Sequence, residues 1–419
     1  MTLTTASVPE VRRLAATLYG YAFFQDFVLL YPVYALLFSD TGLSIGEISS
    51  LFVIWSATSI LLEVPSGAWA DAVSRRLLLC LAPLLAGAGF ALWVLAPSYP
   101  AFALGFVLWG AGGALGSGAL EALVFTELDR LGAAGRYARI MGRARTAGVL
   151  GALASIGLAG PVLAVGGYPA VGAASVLAGG LAAAVATRFP EHRPAPAAAA
   201  PEPAADGEEL GWAATLRAGL AEARADPRVR AALLLVPAVT AVWGALDEYT
   251  PLLARDTGVA GSTVPLLLLL VWVGVTVGGL LAAPAERLRT RGYAALLAVA
   301  AVALAVGAGL RHPAGFVLVG VAFCAFQLAT VLADARVQAR ITGPARATVT
   351  SVAGMATDLT IIAVYGGYAL VAGVGGNRAA FVAAAVPYLV VAGWLLASRR
   401  NRRGGPAREP VAGRSGVPT

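Results

Sequence analysis

Leu36-Leu37-Phe38-Ser39-Asp40-Thr41-Gly42 returns later in the chain as Leu252-Leu253-Ala254-Arg255-Asp256-Thr257-Gly258. A second stretch, Arg139-Ile140-Met141-Gly142-Arg143-Ala144-Arg145, returns as Arg340-Ile341-Thr342-Gly343-Pro344-Ala345-Arg346. The first pair ends a long apolar run in each half, and the second pair opens one. Two copies in the same order divide the chain into two related halves. In a membrane protein such halves are the build of a machine that moves something between them.

The residues around these repeats fix the class. The 419 residues are 58% hydrophobic and 13% charged, with a mean hydropathy of +0.77. So few charges cannot cover a soluble core of that size. The apolar excess falls in runs of about 20 residues, the length of a bilayer-crossing helix. Twelve such runs begin near Leu14, Glu47, Leu77, Ala101, Thr146 and Tyr168, then near Ala231, Val264, Tyr293, Gly315, Val349 and Ala379. They are continuous rather than alternating, which excludes a barrel and leaves helices that satisfy their own backbone. The expected fold is an all-α membrane protein of twelve transmembrane helices in two pseudo-symmetric six-helix bundles. The bundles are expected over 1–187 and 229–398, with a cytoplasmic linker over 188–228 and a disordered tail over 399–419.

Charge sets the expected orientation. All 30 basic residues are arginine. Only Arg255, Arg311 and Arg378 fall on one side of the spans, leaving 30 − 3 = 27 on the other. The positive-inside rule then places both termini in the cytoplasm of a plasma membrane. The net charge of +7 is thereby a topology signal and calls for no nucleic acid. Met1 to Glu10 lacks a basic stretch, so no cleavable signal peptide is expected. Cys80 and Cys324 lie in apolar runs, where neither a disulfide nor a metal cluster is expected. Abundant alanine and arginine without lysine points to a GC-rich bacterial source.

The linker reads in two parts. Pro194 to Ala205 is Pro/Ala-rich and extended. Over Glu208–Ala225, Leu210, Ala213, Leu216, Leu220 and Ala223 share one face of an amphipathic helix that Asp226-Pro227 ends.

The loop after the second run reads Gly67-Ala68-Trp69-Ala70-Asp71-Ala72-Val73-Ser74-Arg75-Arg76. It resembles the loop signature of the major facilitator superfamily, a glycine, an aspartate four residues on, then paired basic residues. The resemblance implies a rocking transporter in which Gly67 packs the second span on the eleventh. It also implies that Asp71, Arg75 and Arg76 hold an inner gate. Trp69, Ala72 and Ser74 depart from the family pattern, which implies a thinner gate network. The counterpart, Gly279 to Arg291, keeps glycine and arginine but offers Glu286 for the aspartate. Trp109 stands near the place of the family's buried arginine, ahead of Gly110, Gly112, Gly113 and Gly116. Gly160-Pro161 is followed by Gly166-Gly167 at a longer spacing than the family's antiporter pattern and near the outer end; both departures weigh against a drug:proton antiport reading.

Ionisable groups inside the runs mark the candidate site, because a carboxyl at mid-membrane costs about 2.5–3.5 kcal/mol. Asp26, Glu121, Asp247, Glu248, Gln327 and Asp358 are the candidates for binding substrate or proton. Glu63, Arg145, Asp334 and Arg346 are secondary gate candidates. For Glu121 a structural pairing with Arg139 or Arg143 competes with a functional role, and for Asp247 and Glu248 a place in surface water does. Tyr31 and Trp55 read as packing residues. His192 and His312 both lie in loops, and no phosphate-binding Gly-Lys-Ser/Thr loop occurs. No enzymatic activity, cofactor or metal is expected. The expected function is proton-coupled export of a small hydrophobic or cationic organic compound by a monomer in the bilayer. Uptake or facilitated diffusion of a nutrient is the alternative within transport, and a receptor or scaffold on the same fold is the alternative outside it.

Overall fold

The computed structural model describes residues 8–192, 227–338 and 345–403, with the backbone alone at residue 8 and over 64–72, 227–233, 337–338, 345–352 and 398–403. Every regular element among them is helical. Helix α1 (Val8–Asp26) stops short, and after a non-helical stretch α2 (Tyr34–Asp40) takes up the path. There follow α3 (Ile45–Ala72), α4 (Arg75–Leu95), α5 (Tyr99–Arg130) and α6 (Tyr137–Ala186). The second half repeats the interruption, with α7 (Pro227–Asp247) followed by the short α8 (Thr250–Arg255). Then come α9 (Val264–Leu280), α10 (Ala282–Ala285), α11 (Thr290–Gly309), α12 (Gly315–Gln338), α13 (Ala345–Ala383) and α14 (Ala385–Arg403).

Among the described residues, eight stretches are long and apolar enough to cross a membrane. Two of these, Ala134–Ala186 and Ala353–Ala397, run for 53 and 45 residues. At about 20 residues per crossing, each is long enough to cross twice. Gly167 (φ 63°) and Gly376 (φ 75°) divide them. With the broken pairs α1–α2 and α7–α8, the described helices accommodate 8 + 2 + 2 = 12 crossings.

The opening repeat lies on the two short helices. The repeat offset is 252 − 36 = 216, and adding it to the first residue of α2 gives residue 250, the start of α8. Each copy ends on a left-handed glycine, Gly42 at φ 96° and Gly258 at φ 86°. In each, the preceding threonine hydroxyl donates back into the short helix, Thr41 to Leu37 O and Thr257 to Ala254 O. This is a helix stop that only glycine adopts without strain.

Two expected boundaries move. Helix α14 runs through Arg403, past residue 398 and into the expected tail. Arginine is a good helix former, and cations are favoured at a helix C-terminus. Arg188 to His192, expected as linker, pack on the first half. Phe189 is buried edge-on against Tyr21, 5.7 Å between ring centroids. The remaining linker with its amphipathic helix, and the tail from 404, lie outside the described residues.

Within the halves, α4 packs on α5 and α6, α1 on α6, α9 and α11 on α12, and α7 on α13. Between them, α3 packs on α13, α6 on α9 and α2 on α8. One apolar core joins Phe38, Phe52 and Phe106 of the first half to Leu246, Tyr249 and Tyr365 of the second. It joins the halves at the Asp40 end and continues through the second half to Tyr293 and Leu332. Toward the Arg75 end the first half has a separate core around Leu18, Leu79 and Leu123. Among the described residues, buried apolar surface joins the halves at the Asp40 end.

The approach of α9 to α12 depends on small residues four apart, as membrane helix pairs commonly do. A Cβ at Gly278 would strike the carbonyl of Cys324, and one at Gly274 the carbonyl of Gly320. Gly278→Leu should destabilise by about 1–3 kcal/mol and lower the thermal unfolding midpoint in detergent. Gly180→Leu, where a Cβ meets open space, should not; equal midpoints for the two variants would contradict this packing.

Candidate functional site

The site begins with the two interruptions. Pro32 has no N–H to continue α1, and Pro251 sits in the first turn of α8. Broken helices expose backbone groups that must find partners away from water. Leu30 N–H donates to the Ser175 hydroxyl at 3.0 Å, and Ser175 donates on to Val171 O. In the second half the Thr250 hydroxyl donates to Asp247 O at 2.6 Å. Both leading segments end on an aspartate, Asp26 and Asp247. Acids sit poorly at helix C-termini, where the backbone dipole is already negative. Their presence puts a carboxylate beside the negative end of each leading helix, where it needs a further partner.

At the Asp40 end the halves are tied by polar contacts. Arg255 grips Asp40 with both guanidinium nitrogens, at 2.5 and 3.0 Å, and Tyr168 donates to the same carboxylate at 2.6 Å. Asp256, the repeat partner of Asp40, accepts from Asn377 at 3.1 Å. Tyr168 and Asn377 each follow the left-handed glycine that divides a long helix, so both repeat aspartates are anchored in the same way. The ion pair has no second copy, because Ser39 stands where Arg255 stands. Deeper in, Tyr31 donates to Asp247 at 2.6 Å, and the hydroxyls of Ser49 and Tyr249 lie 2.7 Å apart. Phe52 meets Tyr249 and Tyr365 edge-on or tilted, at 5.2 and 5.4 Å.

Below this closure lies a cavity of about 370 Å³ between α3, α5, α7 and α13. Three carboxylates line it, Glu63, Glu248 and Asp358. Trp55 and Tyr365 supply aromatic walls, and Ser56, Ser59 and Ser117 supply hydroxyls. Among the described residues, no basic side chain lines it.

The structure thus brings together three of the acids singled out in the sequence. The others lie elsewhere. Asp26 is exposed at the end of α1, where its carboxylate fills the space beside Gly148 of α6. Asp247 faces Tyr31 and not the cavity. Gln327 points toward Gly279, 3.9 Å from where a Cβ would be. Phe323 and Thr330, one turn before and after it on α12, pack on Trp243, whose indole donates to Thr330 at 3.1 Å. Glu121, Arg145, Asp334 and Arg76 are exposed. Arg75 donates to Thr126 at 3.1 Å, and its backbone N–H donates to Glu191 at 2.8 Å. Ser74, read as a departure from the loop pattern, caps α4 at Leu77 N–H and donates to Glu191. Neighbouring Glu127 is buried and accepts from the His192 N–H at 2.7 Å and from Arg130 at 3.0 Å. The side chains of Gly67, Asp71 and Arg346 lie outside the described residues.

Sequence reasoning missed Tyr31, Arg255 and Trp55 as parts of the site. The repeat held one usable signal. Tyr31 plus 216 is Asp247, so the hydrogen-bonded pair joins equivalent positions of the two halves.

The profile of the Major Facilitator Superfamily matches residues 16–364. The chain belongs to the Major Facilitator Superfamily. That family consists of transporters rather than enzymes, and the chain is a multi-pass membrane protein of that fold. No curated protein sequence matches it significantly. Among solved structures it is similar to a bacterial homolog of the human lysosomal transporter Spinster, in an inward-facing and unoccupied conformation. The two are 19% identical with a TM-score of 0.71, over 95% of this chain and 98% of that one. It is similar to the nucleoside transporter NupG at 12% identity and TM-score 0.70, over 92% and 99%. A D-xylose-proton symporter aligns at 15% identity and TM-score 0.62, over 93% and 97%. At these identities the likeness extends to the superfamily fold.

The Asp40–Arg255 pair is partly exposed, 46% and 30% by side chain. An ion pair so placed is worth about 0.2–1 kcal/mol, enough to bias an opening equilibrium and too little to hold the fold. Arg255→Gln should raise the rate at which a thiol reagent reaches a cysteine placed at Ser56. The charge swap Asp40→Arg with Arg255→Asp should restore the slow rate. An unchanged rate in Arg255→Gln would show that the pair does not hold this end shut.

Proposed function

We propose that the chain is a proton-coupled exporter of a small hydrophobic or cationic organic compound, working by alternating access in a bacterial plasma membrane. The observation that carries this reading is the convergence of Glu63, Glu248 and Asp358 on one aromatic-walled cavity between the halves. Carboxylates in such a place are costly unless they exchange protons or bind cations. Among the described residues the lining is acidic and aromatic without a basic side chain, which disfavours an anionic substrate. On this reading the Asp40 end is the outer face, both termini are cytoplasmic, and the Arg75 end holds the inner gate. The protein works as a monomer on a small-molecule substrate, with protons as the coupling ion and without a cofactor.

Coupling is proposed to run through the second broken helix. Asp247 and Glu248 are adjacent, but Asp247 accepts from Tyr31 across the halves while Glu248 lines the cavity. A hydroxyl bonds an ionised carboxylate more strongly than a neutral one. Proton uptake at Asp247 therefore weakens the outer closure, and substrate at Glu248 occupies the neighbouring position on the same break. The gate residues Arg75 and Arg76, with Arg145, Arg346 and Asp334, are proposed to act at the inner end. Glu121, Gln327 and Asp26 stand outside the cavity, which supports a lesser role for them.

Proteoliposomes with an imposed pH gradient test this. Glu248→Gln and Asp358→Asn should each lower gradient-driven organic-cation flux by about 100-fold, the rough equivalent of losing one buried charge contact. Asp26→Asn should lower it less. Full proton-driven flux in both cavity variants would remove the basis of the proposal. Accumulation with the opposite sign of gradient would establish uptake.

A further inference from the structure

A second hollow, of about 50 Å³, lies inside the first half behind the wall of the central cavity. Helices α1, α4, α5 and the part of α6 after Gly167 enclose it. Close helix contacts shut its sides. A Cβ at Gly112 would strike the carbonyl of Ala82, and one at Gly179 the carbonyl of Pro83, so α5 and α6 lie hard against α4 at these points. Gly113 differs. It lines both this hollow and the central cavity, it is exposed, and a Cβ there would meet open space. The two spaces therefore adjoin at Gly113.

Trp109 stands one turn before Gly113 on the same face of α5. Its ring walls the hollow and stacks on Trp55, which walls the cavity, with 4.8 Å between centroids and 20° between planes. Phe90 meets Trp109 edge-on at 5.1 Å, and Pro83 adds its ring to the same wall. Among the described residues, the polar side chains on the wall are Gln25 and Ser175. The Ser175 hydroxyl is already engaged, accepting from Leu30 N–H and donating to Val171 O. Gln25 is exposed near the end of α1. A buried water needs two to four polar partners, so a hollow so lined suits hydrocarbon better than water.

We propose that this hollow is a subsite for one short alkyl branch of a cationic ligand, with Gly113 as its entrance. This deepens the transport reading above and rests on it. The charged head stays in the acid-lined cavity, while the branch passes Gly113 and packs on Trp109, Phe90 and Pro83. A water-sized group takes about 10–15 Å³ of such space. The 50 Å³ therefore holds a branch of roughly three to five carbons. Glycine at the entrance keeps it open, because any side chain there would stand in the passage.

Equilibrium binding on the full chain in nanodiscs tests it, with alkyltrimethylammonium ions bearing chains of one to eight carbons as probes. Partition into empty nanodiscs is measured and subtracted. Each buried methylene should tighten binding by about threefold to fourfold. The increment should stop once the chain outgrows the hollow, at roughly three to five carbons. Gly113→Val places a branched side chain in the entrance, and Ala86→Leu fills the hollow from α4. Each should bring the ratio of butyl to methyl affinity close to one; taken within one variant, that ratio is independent of how much protein is folded. A ratio that survives both substitutions would overturn the proposal. So would a steady increment through eight carbons, or no increment in the unaltered protein, the behaviour of a hollow filled with water. Proton-driven flux of these ions without a chain-length limit on binding would overturn the subsite and leave transport standing. A chain-length limit without flux of any ion would support the subsite and overturn the transport reading. No binding of any of the ions would overturn both.

Discussion

The structure depends on one constraint: a helix interrupted inside a membrane must find partners for the backbone groups it exposes. The chain meets it twice. Ser175 receives Leu30 N–H at the first break, and the Thr250 hydroxyl caps Asp247 O at the second. Once the breaks are supported in this way, the short helices α2 and α8 can carry the repeated Asp-Thr-Gly stop to the same end of the bundle. There they meet, and the apolar core runs on across both halves. A continuous α1 or α7 would remove the bend that lets Tyr31 reach Asp247 and turns Glu248 toward the cavity.

The two halves share a frame and differ in what they place on it. Tyr168 holds Asp40 as Asn377 holds Asp256, each from the residue after a left-handed glycine. Arg255 breaks the symmetry, since Ser39 occupies the equivalent place, so one ion pair crosses the interface instead of two. Tyr31 and Asp247 break it again at equivalent positions, as donor on one side and acceptor on the other. Asymmetry of this kind lets a symmetric scaffold carry a directional device. The cavity draws Glu63 from the first half and Glu248 and Asp358 from the second, so a ligand there touches both halves as they rock.

The frame was legible in the sequence because it is written in long runs and a repeated motif. The run starts near Glu47, Leu77, Val264 and Gly315 fall within or beside α3, α4, α9 and α12. What did not show was the fine placement. The linear sequence marks Asp26 and Asp358 alike as acids near the middle of an apolar run, yet only Asp358 faces the cavity. The difference is one of helix rotation and of where the helix breaks. Pro32 in the first run was the overlooked sign that α1 does not continue past Asp26. Tyr31 and Trp55 read as packing because an aromatic in an apolar run usually is, and only the opposing half reveals their second role. Arg255, counted as a rare basic residue on the sparse side, was in view but its partner was not, because the two lie 215 residues apart.

The central claim is that the charge of Asp247 governs closure at the Asp40 end through the hydroxyl of Tyr31. Pulsed electron spin distance measurement tests it most directly, with labels on Thr41→Cys and Ala260→Cys in a chain whose Cys80 and Cys324 are replaced. Both label sites are exposed in the turns after α2 and α8. The account predicts a single short distance near neutral pH that gives way to a longer, broader distribution in Asp247→Asn or Tyr31→Phe. An unchanged short distance in both variants would contradict it.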